Sequence, residues 1–189
     1  EVRLTYTLTD RMSYVEVRTE FVNRSDKPLT VLAADDFRAD RTFQTAQPGE
    51  TDLVWFYVKW WGQAYGIVSG RESPMRLTGS PAEPRAIEFL TDGKPSFELA
   101  SGQSKAIVRS IFPAADLIFV KSYAPMVRAA LANFRGAPAA PPVMVRTPLT
   151  RLQVKDTKGR PVPRADVELS QQGAFYGNAR TDANGQLYL

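Results

Sequence analysis

One aromatic stretch constrains the fold of this chain more than any other feature of its sequence. Leu53–Gly70 (LVWFYVKWWGQAYGIVSG) contains all three tryptophans of the 189 residues, together with Phe56, Tyr57 and Tyr65. Each such ring buries about 150–250 Å² when it is packed, so the stretch carries a large share of the core material. Residues 51–60 are too continuously apolar for a strand with one wet face. They predict a central strand covered on both faces, or a strand with an exposed aromatic face.

Two missing residue types remove whole classes of chemistry. The chain has no cysteine, which excludes disulfides, thiolate nucleophiles and cysteine metal sites. It has no histidine either, which excludes a histidine general base and histidine-ligated metals. The net charge is only +4 with dispersed basic residues, and no apolar run approaches the ~20 residues of a membrane span. We therefore expect no cofactor, no bound metal, no nucleic-acid partner and no membrane span.

Alternating apolar and polar residues predict antiparallel strands along most of the chain. In Tyr14–Val22 the alternation sets apolar residues opposite Glu16, Arg18 and Glu20, which predicts a half-buried strand with a charged outer face. Residues 71–85 carry three prolines and are predicted to form a surface loop. The other strands predicted in the first part of the chain are Arg3–Thr9, Leu29–Ala33, Ala86–Thr91, Ser96–Ala100 and Lys105–Phe112.

The periodicity changes after Ala114. Apolar residues then recur at helical spacing, which predicts one helix that ends at Gly136. Pro125 lies inside this window, and we expect a break or a kink near it. The residues that show the spacing are Val127, Ala130, Leu131 and Phe134.

A proline-rich segment divides the chain. Residues 137–148 (APAAPPVMVRTP) hold four prolines and read as a semi-rigid linker between a first domain, 1–136, and a tail, 149–189. The tail alternates again in short strands around Leu152, Ala165–Ser170 and Ala174–Thr181, with a last strand from Gln186.

The tail carries a recognisable pattern of turns and strands. It contains a strand, an acidic turn, Gly-x-Pro-Val, a small residue that opens the next strand, and a later Thr-Asp-x-x-Gly turn. This pattern resembles the carboxypeptidase regulatory-like module, a small transthyretin-like β-sandwich. Arg164 departs from the glycine that is often found before the small residue. The resemblance implies a binding, spacing or folding unit of about seven strands, of which the tail supplies about four, and no active site. The matching residues are Val154, Asp156, Gly159, Pro161, Val162, Ala165, Val167, Leu169, Thr181, Asp182, Gly185 and Leu187.

The first domain has features of its own: long strands, the Phe-x-Asn-x-Ser-Asp-x-Pro step at Phe21–Pro28, and a Ser-Gly-Gln-Ser turn before the basic strand in Ser101–Arg109. With these it resembles a β-supersandwich of the galactose-mutarotase-like kind. Such a domain followed by a regulatory-like module is similar to regions found upstream of catalytic units such as PHP-type metal-dependent hydrolases. Those units need histidine clusters, so the resemblance implies that any chemistry lies outside this chain.

The aromatic cluster is the candidate binding site. Trp60, Trp61 and Tyr65 could form a platform for stacked sugar rings, with Gln63 bonding hydroxyl groups. The alternative is ordinary core packing, which is how most aromatic residues are used. Adjacent tryptophans on one strand point to opposite faces, so we expect one to be buried and the other exposed or covered by the helix.

Carboxylates offer two further candidates, and both favour structural roles. Asp35, Asp36 and Asp40 could supply oxygen ligands to calcium, but Arg38 and Arg41 lie among them and favour local ion pairs. The Thr-Asp-x-x-Gly of the tail could bind a cation, but a structural turn fits it better.

These observations predict an all-β chain: an antiparallel β-sandwich or supersandwich with one short helix, then a partial transthyretin-like module. The expected role is non-catalytic scaffolding, or recognition of a glycan or neighbouring domain, in a larger secreted or envelope protein that is itself a candidate hydrolase. Expected partners are a glycan, domains following Leu189, and another copy through unpaired strand edges of the tail. The alternative is a carbohydrate-active enzyme domain that uses carboxylates beside the aromatic platform.

Overall fold

The structure, a computed structural model, describes residues 1–8, 13–37, 43–79, 85–132 and 150–188. Within these ranges the chain is an antiparallel β protein with a single helix, so the predicted all-β class is confirmed. The elements in chain order are β1 Val2–Thr7, β2 Val15–Val22, β3 Leu29–Leu32, β4 Ala34–Phe37, β5 Gln44–Thr45, β6 Gly49–Thr51, β7 Val54–Val58, β8 Gln63–Ser69, β9 Met75–Leu77, β10 Arg85–Phe89, β11 Ser96–Leu99, β12 Ser104–Ala114, α1 Leu117–Ala132, β13 Arg151–Gln153, β14 Asp166–Gln171, β15 Ala174–Arg180 and β16 Gln186–Tyr188.

Two sheets pack face to face around the main core. The larger has the strand order β1-β2-β12-β8-β7-β5, and the smaller has the order β4-β10-β9-β6. Apolar side chains from both sheets form one buried cluster, in which Phe56 and Ile67 of the larger sheet meet Ile87 and Phe89 of the smaller. Such interdigitated inner faces define a β-sandwich. A short pair, β11-β3, is connected to the smaller sheet by the chain: β3 leads directly into β4, and β10 is followed by β11.

The helix covers the opposite face of the larger sheet. Its apolar stripe joins Tyr57, Ala64, Val68 and Phe112 in a second buried cluster. β7 is therefore a central strand covered on both faces, which is one of the two arrangements that the sequence predicted for it. Gly66 permits this packing, because a Cβ there would lie 2.3 Å from the Phe112 ring. The helix residues that form the stripe are Leu117, Val120, Ala124, Val127 and Leu131.

The helix runs without a break through Pro125, so the break expected there does not occur. Proline removes one intrahelical hydrogen bond, and the packed stripe holds the segment helical in spite of that loss. Asp116 precedes the helix as its N-cap, because its Oδ1 accepts the Phe119 N–H at 2.7 Å. Phe134 and Gly136, the predicted end, lie outside the described residues.

The prediction that residues 71–85 form a surface loop is wrong for residues 75–77. There β9 lies between β10 and β6 in the smaller sheet, with Met75 and Leu77 fully buried. Only three residues pair, and Pro74 and Pro81 flank them, which hid the strand from a periodicity analysis. The predicted charged outer face of β2 is also partly wrong, because Glu16 is only 3% exposed.

The tail forms two antiparallel pairs, β13-β16 and β14-β15, close to the predicted positions. Its core is completed by the helix, since Ile118 is fully buried among Ala179, Leu187 and half-buried tail residues. Gly177 makes the close approach possible, because a Cβ there would lie 3.1 Å from Ile118 Cγ1. The linker and both predicted domain boundaries around it lie outside the described residues.

Candidate functional site

The candidate residues lie on the β7–β8 hairpin, which the sequence builds from two apolar strands and a tight turn. The two strands pair from Val54↔Ile67 to Val58↔Gln63. Lys59, Trp60, Trp61 and Gly62 form the turn, where Gly62 adopts a φ of +56° and its N–H donates to the Lys59 carbonyl at 3.2 Å. Glycine adopts this left-handed conformation without steric cost, so the turn closes there.

Both tryptophans project from this turn into solvent. Trp60 is 91% exposed and Trp61 is 72% exposed. The prediction that one of the pair is buried is therefore wrong, as is core packing for these two rings. The reason is that the strand ends at Val58, two residues earlier than expected, so strand alternation no longer governs either indole.

Gln63 and Tyr65 continue the site along one face of β8. They are two residues apart on a strand, which places their side chains on the same face about 7 Å from each other. Gln63 is exposed, and Tyr65 is 36% exposed with its ring 6.3 Å from that of Phe43. All four candidate side chains are therefore at least partly exposed, two of them on the turn and two on one face of β8.

The turn lies beside the start of the helix and the tail. A Cβ on Gly62 would lie 3.9 Å from the Ala115 carbonyl oxygen. A hydrogen bond from Arg180 lowers the pKa of Asp166 in the tail, and Lys59 of the turn contributes further to that lowering. The third tryptophan, Trp55, is half-buried, and the Lys121 Nζ lies 5.5 Å from its ring centroid. Only Trp60 and Trp61 of the three are therefore available to a ligand.

Asp35, one of the aspartates weighed as a calcium site, is in an ion pair with Arg109. Asp35 Oδ1 accepts a hydrogen bond of 2.8 Å from Arg109 Nη2, and its Oδ2 lies 2.6 Å from Arg109 Nε. Arg109 also donates to Thr19 Oγ1 at 2.6 Å and is 5% exposed. Burial raises the pKa of Asp35, against the opposing effect of Arg109. Asp36 adjoins this pair, and Asp40 lies outside the described residues.

This ion pair lies in a cleft that sequence reasoning missed. The cleft opens between β1–β2 of the larger sheet and β4 of the smaller, with a volume of about 810 Å³. Its walls are mainly apolar, and Arg109 is in them because it alternates in register with Ile107 and Ile111 on β12. That alternation was the available signal, but its partner Asp35 is 74 residues away in sequence.

The Thr-Asp-x-x-Gly sequence of the tail forms a turn. Asp182 Oδ1 accepts the N–H groups of Asn184 and Gln186, both at 2.8 Å, so this oxygen is engaged by the backbone. Thr181 Oγ1 donates to the Val162 carbonyl at 2.8 Å. Across the described ranges, no group of three or more acidic, histidine or cysteine side chains could hold a metal ion. No described helix is long and apolar enough to cross a membrane.

Comparisons with known proteins add little to this geometry. No protein-family model matches the chain, and no curated protein matches it. Among solved structures, a TPR-domain containing protein from Parabacteroides distasonis ATCC 8503 matches with a TM-score of 0.49 and 11% identity. The match covers 63% of this chain and 31% of that protein, which is too distant a likeness to carry an argument.

Proposed function

We propose that the chain is a non-catalytic recognition region of a larger secreted or envelope protein, and that the β7–β8 hairpin turn binds a glycan. The supporting observation is the exposure of two adjacent indole rings, 91% for Trp60 and 72% for Trp61. Large apolar rings left together in water mark interaction surfaces. Indole combines an apolar face with a polar N–H, which suits a sugar ring with its apolar face and hydroxyl rim.

The neighbouring side chains suit the same ligand. Gln63 offers an amide donor and acceptor for hydroxyl groups, and Tyr65 adds a third ring along β8. Lys59 adds a positive charge at the start of the turn, which favours glycans with acidic groups over purely neutral ones. In this proposal the rest of the sandwich holds the turn rigid, since β7 is packed on both faces.

The alternative, a carbohydrate-active enzyme, needs a carboxylate pair beside the platform. The two carboxylates near the turn are engaged elsewhere: Asp116 caps the helix, and Asp166 pairs with Arg180 at 2.9 Å. No observation on the described residues favours the enzyme, so we carry the binding function forward.

The test is calorimetric titration of the wild type with neutral and acidic oligosaccharides, followed by the variants Trp60→Ala and Trp61→Ala. We expect each variant to weaken binding by about tenfold or more, which corresponds to about 1.4 kcal/mol. Both should change stability by less than about 0.5 kcal/mol, because the rings are exposed.

Phe119→Ala is the matched control, since Phe119 is an exposed aromatic residue on the helix at 46%. It should leave the affinity unchanged. If no oligosaccharide binds, or if the Trp60→Ala/Trp61→Ala double variant binds as the wild type does, the proposal is wrong.

A further inference from the structure

β1 is an edge strand of the larger sheet, and it exposes a row of apolar side chains. No described strand lies beside the outer edge of β1. Its even-numbered side chains face the cleft, and they are unusually exposed for large apolar residues. Exposed fractions are 63% for Val2, 50% for Leu4 and 64% for Tyr6, and Leu8, the residue after the end of the strand, is 68% exposed. A hydrophobic edge of this length recruits another strand.

The backbone of the same residues points outward. Glu1 and Val22 exchange both of their backbone hydrogen bonds, at 2.8 and 2.9 Å. Since bonded pairs alternate along an antiparallel ladder, the inward groups of β1 belong to its odd-numbered residues. The N–H and C=O groups of Val2, Leu4 and Tyr6 therefore point away from β2, toward the free edge. The strand thus presents donors, acceptors and apolar side chains on the same residues.

The strand is complementary to itself in a register centred on Thr5. When two copies run antiparallel about a two-fold axis at Thr5, Leu4 lies opposite the partner's Tyr6, and Val2 opposite the partner's Leu8. The backbone groups of these residues point outward, so they form the hydrogen-bonded pairs between the two copies. Their side chains lie on the cleft face, where aliphatic residues contact aromatic or aliphatic ones of the partner. On the other face, Arg3 lies opposite the partner's Thr7, and Thr5 meets the partner's Thr5.

The Thr5-centred register pairs the largest part of the apolar row. The nearest registers that keep the outward groups hydrogen-bonded have their axis at Leu4 or at Tyr6, and they leave Leu8 or Val2 without an apolar partner among residues 1–8. An axis at Arg3 would also set the two Arg3 side chains directly opposite each other, which is destabilising. In the Thr5-centred register, Arg3 keeps its own carboxylates, Glu1 at 2.7 Å and Glu20 at 3.5 Å. No like charges are then directly opposed. We propose that the chain forms a homodimer by antiparallel pairing of β1 with β1 of a second copy, centred on Thr5.

Cysteine cross-linking tests both the dimer and its register. The chain has no cysteine of its own, so every disulfide comes from an introduced residue. Thr5 meets its own copy in a non-hydrogen-bonded pair, whose Cα separation of about 4.5 Å lies within the disulfide range. Thr5→Cys should therefore form a covalent dimer under mild oxidation. Arg3→Cys and Thr7→Cys should each fail alone, and a mixture of the two should form the mixed disulfide.

Proline variants test the edge itself. Leu4→Pro removes an outward N–H while leaving the β1–β2 ladder intact, so it should yield a folded monomer by sedimentation velocity and circular dichroism. Thr5→Pro, the matched control, removes an inward N–H and should instead lower the melting temperature.

Two results would overturn the proposal. One is a wild type that stays monomeric at all concentrations, with Thr5→Cys cross-linking no faster than Ser101→Cys, an exposed position outside β1. The other is preferential cross-linking of Arg3→Cys, which would assign a different register. A monomer whose β1 edge binds some other protein also gives the first result.

Discussion

Arg164 shows at the scale of one residue how a turn can override side-chain preference. Its φ of +55° is left-handed, a conformation that glycine adopts without steric cost. The surrounding hydrogen bonds impose this geometry: Arg164 N–H donates to the Thr181 carbonyl at 3.2 Å, and Ala165 N–H donates to Thr181 Oγ1 at 2.8 Å. A non-glycine residue is strained there by about 1–2 kcal/mol.

Arg164→Gly should therefore stabilise the protein. Relief of the strain exceeds the extra chain entropy of glycine, so we expect a gain of about 0.5–1 kcal/mol in urea denaturation. Gly159→Ala is the mirror control. Gly159 has a φ of +77° and no atom near its Cβ position, so alanine there should cost about 1 kcal/mol from backbone strain alone. A loss of stability in Arg164→Gly would show that the side chain does more than tolerate the turn.

Glu16 is a second residue whose surroundings disfavour its usual state, since burial disfavours its charged form. It is 3% exposed, and burial raises its pKa, with Arg18 opposing that effect. It lies opposite Ser110, a fully buried serine whose Oγ has no hydrogen-bond partner among the described residues.

Because the folded pKa of Glu16 lies above its unfolded value, the folded state holds this proton more tightly. Its contribution to stability is then fully present at acid pH and is lost as the pH rises through the folded pKa. Glu16→Gln should raise the melting temperature at neutral pH by a few degrees and lose this advantage below the unfolded pKa. Glu20→Gln, on the same strand face but near Arg3 and Arg18, should show no such gain. Equal pH profiles for wild type and Glu16→Gln would contradict the prediction.

At the scale of elements, alternation alone located most strands but could not assign the turns and pairs that make the site. β2, β12 and the tail strands fall where period-2 patterns predicted them, because one buried face imposes that period. β9 was missed because three residues are too few to show a period. The exposed turn of the hairpin was missed because Trp60 and Trp61 continue the apolar composition of β7 beyond Lys59, although Lys59 and Gly62 bracket the reversal.

The cleft illustrates a different limit. Arg109 was visible as a charge in an inward-facing position of β12, but the reason it is tolerated there is Asp35, which a distant strand supplies. A buried charge needs such a partner. Local sequence cannot name a partner that the topology brings together, so Asp35 was weighed as a calcium ligand and assigned instead to local ion pairs with Arg38 and Arg41, whereas its partner is Arg109.

At the scale of the whole molecule, the helix is shared by two units. One side of it completes the second core of the sandwich, and Ile118 on the other completes the small core of the tail. Lys121 extends the junction, since its Nζ donates to the Tyr176 carbonyl and lies 4.6 Å from that ring. Four short strands bury little on their own, so the tail depends on this helix for its apolar contacts.

Gly177→Val should therefore loosen the tail without unfolding the sandwich. The valine would overlap Ile118, which lies 3.1 Å from the Cβ position, and overpacking of this kind costs about 1–3 kcal/mol. Hydrogen exchange should speed up at amides of β14 and β15 while those of β8 and β12 stay protected. Gly70→Val is the control, because its Cβ position is open, and it should leave the exchange of the tail unchanged.

A compensating variant separates contact at this junction from a general effect of valine in a strand. Ile118→Ala removes Cγ1, the atom nearest to the Gly177 Cβ position, so in the Gly177→Val background it should recover part of the lost protection. Alone it should cost about 2–5 kcal/mol, and the two changes should be non-additive because the residues touch. Additive losses, or faster exchange in β8 as well as in the tail, would show that the tail and the sandwich do not meet through this contact.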